Sequence, residues 1–169
     1  MPSVPVAGFS RLPRNHVVHG RDDGGDGFDV GRVRLLRCRG GRNRRDWDRW
    51  HSLFADGATL SAVVRTREQT VRRVLMTPQT WVEGSGAAIE RDGFFEAEIG
   101  RVTEGFGLIA HAFSSYESYR SASDAEPFAR GINSFQLMND GSRWWVVSVF
   151  WQGEGPIDPI PAKYIGEPR

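Results

Sequence analysis

The chain has 169 residues, of which 39% are hydrophobic and 25% are charged, and its formal net charge is +1. This is enough for one globular domain with a real core and too little for two. The single cysteine, Cys38, excludes an internal disulfide and a cysteine-based zinc site, and no stretch approaches the ~18 apolar residues of a membrane span. We expect a cytoplasmic protein with no membrane association.

The first 45 residues differ in composition from the rest. They contain ten arginines and four aspartates, a net charge of +6, so residues 46–169 carry −5. The arginines are interleaved with aspartate and glycine and form no helical stripe, so nucleic-acid binding is not predicted. We predict a poorly ordered Arg/Gly-rich extension over residues 1–44 and a folded domain over 45–169.

The first regular pattern begins at Asp46, a suitable helix N-cap. Trp47, Trp50 and Phe54 follow at helical spacing, and Gly57 is suited to ending the helix. Two short strands are predicted over 59–65 and 71–76.

A second helix is predicted to start at Thr77-Pro78, because a hydroxyl N-cap followed by proline is typical of a first helical turn. It runs to about Arg91, and Gly93 ends it. Gly84 and Gly86 weaken it by ~1 kcal/mol each relative to alanine.

Four long strands complete the domain, over 94–102, 108–120, 128–138 and 143–152. Asn139-Asp140-Gly141 predicts a tight hairpin between the last two, because Asp-Gly supplies positive φ angles. The last strand is apolar on both faces, which suits a sheet with helices on its concave side and a second subunit on its convex side. We therefore expect a homodimer through the convex face.

Several segments together resemble the NTF2-like (SnoaL-like) superfamily, and in particular a bacterial group of unknown function. The similar segments span about residues 45–166 and include Arg45-Asp46-Trp47-Asp48-Arg49-Trp50-His51, Gly93-Phe94-Phe95-Glu96-Ala97-Glu98-Ile99, Ala110-His111-Ala112-Phe113, Arg130-Gly131-Ile132-Asn133-Ser134-Phe135 and Arg143-Trp144-Trp145-Val146-Val147. The resemblance implies an α+β cone fold, in which a curved mixed or antiparallel sheet carries helices on its concave side.

The resemblance is weakest before Arg45. NTF2-like proteins place a first amphipathic helix across the mouth of the cone, whereas residues 29–43 here have little apolar surface. Two explanations stay open: the protein has a degraded first helix, or the reading frame before Arg45 is incorrect.

Two polar strand residues are candidates for catalysis. His111 could act as a general acid or base at the bottom of the cone, because an ordinary histidine pKa of ~6.5 suits that role. Asn133 could donate a hydrogen bond to a substrate oxygen. Some NTF2-like dehydratases resemble this arrangement, whereas the isomerase relatives carry a carboxylate base near the position of Ala62. The alternative for both residues is a purely structural role in the core.

Side chains alternate between the two faces of each strand, so the strand residues of one face are expected to line a small-molecule pocket. Tryptophan side chains are expected there as well, because indole rings suit flat apolar ligands. The predicted ligand-binding residues are Trp81, Phe113, Phe135, Trp145, Val147 and Trp151. Glu96 and Glu98 share a strand face and could do acid–base work, but surface pairing with Arg101 or Arg120 is the favoured interpretation. The histidines are far apart and lack acidic neighbours at ligand spacing, so neither a metal nor a cofactor is predicted.

Two functions therefore stay open. The domain could hold a small, mostly apolar organic molecule and act on it as a cofactor-free isomerase, dehydratase or hydrolase. Alternatively, it could be a non-catalytic ligand-binding or dimerisation module. Titratable groups that converge beside the cavity would favour an enzyme.

Overall fold

The computed structural model describes residues 44–166. The predicted N-terminal extension therefore lies almost entirely outside the described residues, as does the segment matching the first helix of the family. The elements, in chain order, are α1 Trp47–His51, β1 Phe54–Arg65, β2 Val71–Met76, α2 Pro78–Asp92, β3 Phe95–Phe106, β4 Ile109–Tyr119, β5 Ala129–Asn139, β6 Trp144–Gly153 and a 3-10 helix, Ala162–Tyr164.

The six strands form one mixed sheet in the order β2-β1-β6-β5-β4-β3. All neighbouring strands are antiparallel except β1 and β6, which are parallel. Helix α2 thus connects β2 at one edge of the sheet to β3 at the opposite edge. This agrees with the α+β class and mixed sheet expected from the sequence.

The first helix is shorter than predicted. It ends at His51, and residues 55–57 belong to β1, where the pairing with β6 shifts register between Phe54 and Thr59. Gly57, with φ of 73°, supplies the left-handed conformation of this irregularity. Asp46 caps the helix as predicted, because its side chain accepts a hydrogen bond from the Arg49 amide.

The second helix agrees with its prediction at both ends. Thr77 and Thr80 form a reciprocal capping box, Pro78 occupies the first turn, and Gly93 ends the helix with φ of 77°. Its packing against α1 is aromatic. Trp81 stacks on Trp50 of α1, with ring centroids 4.9 Å apart.

The main core lies between the two helices and the inner face of the sheet. Its buried members are Trp50, Phe54, Ala58, Leu60, Ala112, Phe135, Leu137, Val146 and Val149. They come from α1, β1, β4, β5 and β6, so the hydrophobic effect holds the crossover and the long strands together.

Gly84 offers a test of how α2 is stabilised. A methyl group at this exposed helical position would meet no atom within 4 Å. We therefore expect Gly84→Ala to stabilise the protein by about 0.5–1 kcal/mol in chemical denaturation, because alanine has the higher helix propensity.

Gly86 is the matched control in the same helix. A methyl group there would come within 3.3 Å of the Trp47 ring. In Gly86→Ala, crowding against Trp47 should offset the stabilisation expected from the higher helix propensity of alanine. Equal stabilisation by both substitutions would contradict the packing of Trp47 on α2.

Candidate functional site

A cavity of about 260 Å³ opens between the helices and the inner face of the sheet. It is lined by Trp50, Leu60, Trp81, Phe94, Glu96, Tyr116, Ser118, Phe128, Ala129, Asn133, Val149 and Trp151. Half of the apolar residues come from the helices and β6, and the others are Leu60 of β1, Ala129 of β5, and Phe94 and Phe128 just before β3 and β5. The polar residues Glu96, Tyr116 and Asn133 come from the neighbouring strands β3, β4 and β5. The cavity therefore has a largely apolar wall and one polar side, a common arrangement in small-molecule sites.

Strand register explains why these polar residues meet. Glu96 pairs with Ser118, Tyr116 pairs with Gly131, and Ser114 pairs with Asn133. Alternation places these side chains on one face of three adjacent strands. The Asn133 amide Nδ2 donates a hydrogen bond to Glu96 Oε1 at 3.2 Å.

Glu96 is the most strongly perturbed acid of the cavity. Burial raises its pKa from 4.5 to about 7, and the nearby charge of Glu98 adds to this. The hydrogen bond from Asn133 acts in the opposite direction and is too weak to cancel the loss of hydration. The Glu96 side chain is partly exposed, and its exposed part faces the mostly apolar cavity. Near neutral pH, Glu96 can thus be found with or without its proton.

Tyr116 stands beside Glu96 and keeps its proton. Its side chain is 8% exposed, and burial followed by the charge of Glu96 raises its pKa to about 12. A phenol that stays neutral can donate a hydrogen bond to a ligand oxygen. Its hydroxyl lies over Gly131, where a methyl group would come within 2.5 Å of it.

Glu98 forms a separate cluster on the same strand. The register shift between Glu98 and Gly100 brings Glu98 and Arg101 to the same face, where they form a largely buried ion pair. The Ser114 hydroxyl also donates to the Glu98 carboxylate. The pairing predicted for this acidic strand holds for Glu98, although it is buried rather than on the surface. It does not hold for Glu96, which accepts its hydrogen bond from Asn133.

No protein-family model matches the sequence, and no curated protein matches it. Among solved structures, a protein of unknown function with a cystatin-like fold from Nostoc punctiforme PCC 73102 superposes with a TM-score of 0.51 at 11% identity, over 66% of this chain and 78% of that one. A protein of unknown function from Mycobacterium tuberculosis gives 0.50 at 15% identity, over 69% and 66%. An NTF2-like protein with a cystatin-like fold from Novosphingobium aromaticivorans gives 0.48 at 12% identity, over 63% and 68%.

The chain has the cystatin-like α+β fold of the Nostoc protein. The resemblance noted in the sequence is confirmed at the level of fold, and likeness this distant says nothing about activity.

Three of the predicted site residues line the cavity: Trp81, Asn133 and Trp151. Phe135 lies two residues from Asn133 on the same face but is buried in the core, with 3% of its surface exposed. The other four predicted residues lie elsewhere.

His111 is on the opposite face of β4. Its side chain is 47% exposed, and its Nε2 lies 3.2 Å from Glu104 at the sheet edge. Phe113 shares that outer face and packs against Tyr164, with ring centroids 5.0 Å apart. The predicted position of His111 at the bottom of the cone is therefore wrong, because Ala112, Ser114 and Tyr116 provide the inner face of this strand.

A β-bulge explains the positions of Trp145 and Val147. Gln136 pairs with Ser148 but Leu137 pairs with Val146, so one additional residue of β6 is accommodated there. Val146 is fully buried on the inner face, whereas Val147 is 39% exposed. Trp145 instead donates from Nε1 to Asp140 in the hairpin, at 2.6 Å.

Sequence reasoning missed Tyr116 and gave Glu96 a surface role. The signal for Tyr116 was the run of small residues at alternate positions of β4, which fits a crowded inner face. For Glu96, neither composition nor spacing could show that Asn133 would lie opposite it.

Two features are absent from residues 44–166. Neither α1 nor α2 is long and apolar enough to cross a membrane. Within the same range, no three His, Cys, Asp or Glu side chains are grouped so that they could hold a metal ion.

Proposed function

We propose that the cavity binds a small, mostly apolar organic molecule and that Glu96 exchanges a proton with it. The observation that carries this proposal is a carboxyl group with a pKa of about 7 in the wall of an aromatic cavity. Such a group is close to the best pKa for general acid–base catalysis at neutral pH.

The neighbouring residues suit the same role. Asn133 orients the carboxyl through its hydrogen bond to Oε1, and neutral Tyr116 is a donor for a ligand oxygen. A carboxyl that takes a proton from carbon or oxygen, beside such a donor, supports cofactor-free isomerisation, dehydration or hydrolysis. Asn133 thus stays in the proposed site, although its amide positions Glu96 instead of donating to a substrate oxygen, and Glu96 takes the role predicted for His111.

Ala129→Trp tests whether ligands use this cavity. Ala129 lines it, so an indole there should fill much of the space and abolish binding. A panel of small ketones, alcohols and amines can be screened against both proteins by ligand-observed NMR. The matched control is Gln136→Trp, because Gln136 is exposed on the same strand.

A second measurement separates catalysis from binding. For any bound compound with an acidic C–H group, deuterium incorporation in D₂O reports proton transfer directly. We expect Glu96→Gln to slow it by about 10²–10⁴-fold. Binding that depends on the cavity, without any exchange or turnover, would favour the non-catalytic binding module instead.

A further inference from the structure

Half of the residues that line the cavity are aromatic. Six of the twelve lining residues have aromatic rings: Trp50, Trp81, Phe94, Tyr116, Phe128 and Trp151. The faces of such rings carry negative electrostatic potential and attract cations, indole most strongly. Three of the six rings are indoles.

The charged residues of the cavity also favour a cationic ligand. Of the residues that the structure describes around this space, none is Lys, Arg or His, and Glu96 is its one carboxylic acid. Glu98 lies nearby, but Arg101 already balances its charge. An anionic ligand would therefore meet Glu96 and no cationic side chain among the lining residues.

Glu96 also has hydrogen-bonding capacity to spare. Its Oε1 accepts from Asn133, while Oε2 accepts no hydrogen bond from any side chain or amide of residues 44–166. A carboxylate removed from water and left without a cation is costly, and a positively charged ligand group would offset that cost.

We infer that the cavity selects a ligand with a positively charged nitrogen, a substituted ammonium group held by the aromatic walls with Glu96 as its counter-ion. This inference rests on the proposed function, because it names the chemical class of the molecule that the cavity binds. The rim already shows a related contact, in which the exposed Arg120 guanidinium lies 4.0 Å from the centre of the Phe128 ring.

Choline and 3,3-dimethylbutan-1-ol test the inference, because they have nearly the same shape and differ in charge. Calorimetric or NMR titration of the full chain at pH 8 should show choline binding at least about tenfold more tightly. Equal or tighter binding of the neutral alcohol would overturn the inference and leave the proposed function standing. Binding of neither probe would also overturn the inference, while the proposed function would still be decided by the compound panel tested against Ala129→Trp.

Two variants locate the source of the preference. Glu96→Gln should abolish it, whereas Glu104→Gln, at a carboxylate 74% exposed on the outer face, should leave it unchanged. Trp81→Leu keeps the carboxylate and should weaken choline binding more than alcohol binding. A preference for choline that persisted in both Glu96→Gln and Trp81→Leu would show that another surface binds the cation and would overturn the inference.

Discussion

Replacing Glu96 with glutamine is expected to raise the free energy of unfolding at pH 8 by about 2–3 kcal/mol and to leave it nearly unchanged at pH 5. In the unfolded chain this carboxyl has its ordinary pKa of 4.5, and in the folded protein its pKa is about 7. Between these values the folded state holds the additional proton, so wild-type stability falls as pH rises and reaches its lower level above pH 7. Glutamine keeps the hydrogen-bonding shape and has no charge to bury.

The groups around Glu96 do not disturb this pH window. Tyr116, on the adjacent strand, has a pKa of about 12. The Glu98 carboxylate is paired with Arg101, and Asn133 has no charge. Outside this group, Asp140 of the β5–β6 hairpin has a pKa well below its usual range, held there by hydrogen bonds from Trp145, Arg143 and Ser142, so it loses its charge only at more acidic pH.

Urea denaturation at pH 5 and pH 8 measures the effect directly. The control is Glu104→Gln, which removes an exposed carboxylate from the neighbouring part of the sheet. Parallel pH profiles for the wild type and Glu96→Gln would show that the Glu96 carboxyl is well hydrated. They would also remove the basis for its proposed role in proton transfer.

Gly131→Ala is expected to destabilise the protein by about 2–3 kcal/mol and to displace Tyr116 from the cavity wall. A methyl group at this position on β5 would come within 2.5 Å of the Tyr116 hydroxyl and closer still to the carbonyl oxygen of Gln152. The first neighbour is a side chain that can move, but the second is backbone of β6. Relief therefore requires either a new position for the phenol ring or separation of two paired strands.

Denaturation and near-UV circular dichroism would report these two responses. Gly105→Ala is the control, because a methyl group there meets ordinary contacts of 3.5 and 3.6 Å. A double-mutant cycle with Tyr116→Ala measures how much of the loss comes from the phenol. A destabilisation of Gly131→Ala no larger than that of Gly105→Ala would contradict the close approach of Tyr116 to β5.

Local chemistry was enough to predict several elements from the sequence. Thr77-Pro78 and Gly93 mark the two ends of α2 as expected. The predicted hairpin joins β5 to β6, although its loop has four residues, 140–143, and of the Asp140-Gly141 pair only Gly141 has a positive φ, of 97°. These signals depend only on residues that are neighbours in sequence, so they can be recognised without knowing the tertiary structure. The alternation of the long strands likewise gave their number and approximate extent.

Inner and outer faces could not be assigned in the same way. On β4, alternation defines two faces but does not show which of them packs against the helices. The prediction that His111 faces inward is therefore wrong, and Tyr116 lies on the inner face instead. On β6, the bulge beside Val146 interrupts the alternation and moves Trp145 and Val147 out of the predicted set. A bulge of one residue exchanges the inner and outer faces of the strand on one side of it. The residue types of β6 do not show where such a bulge lies.

The stacked indoles of Trp50 and Trp81, together with Trp151, give the protein a built-in optical reporter. These three of its six tryptophans border the cavity, whereas Trp47, Trp144 and Trp145 do not. A molecule that enters this space changes the polarity around half of the protein's tryptophans. Occupancy can thus be followed by intrinsic emission, without attaching a label.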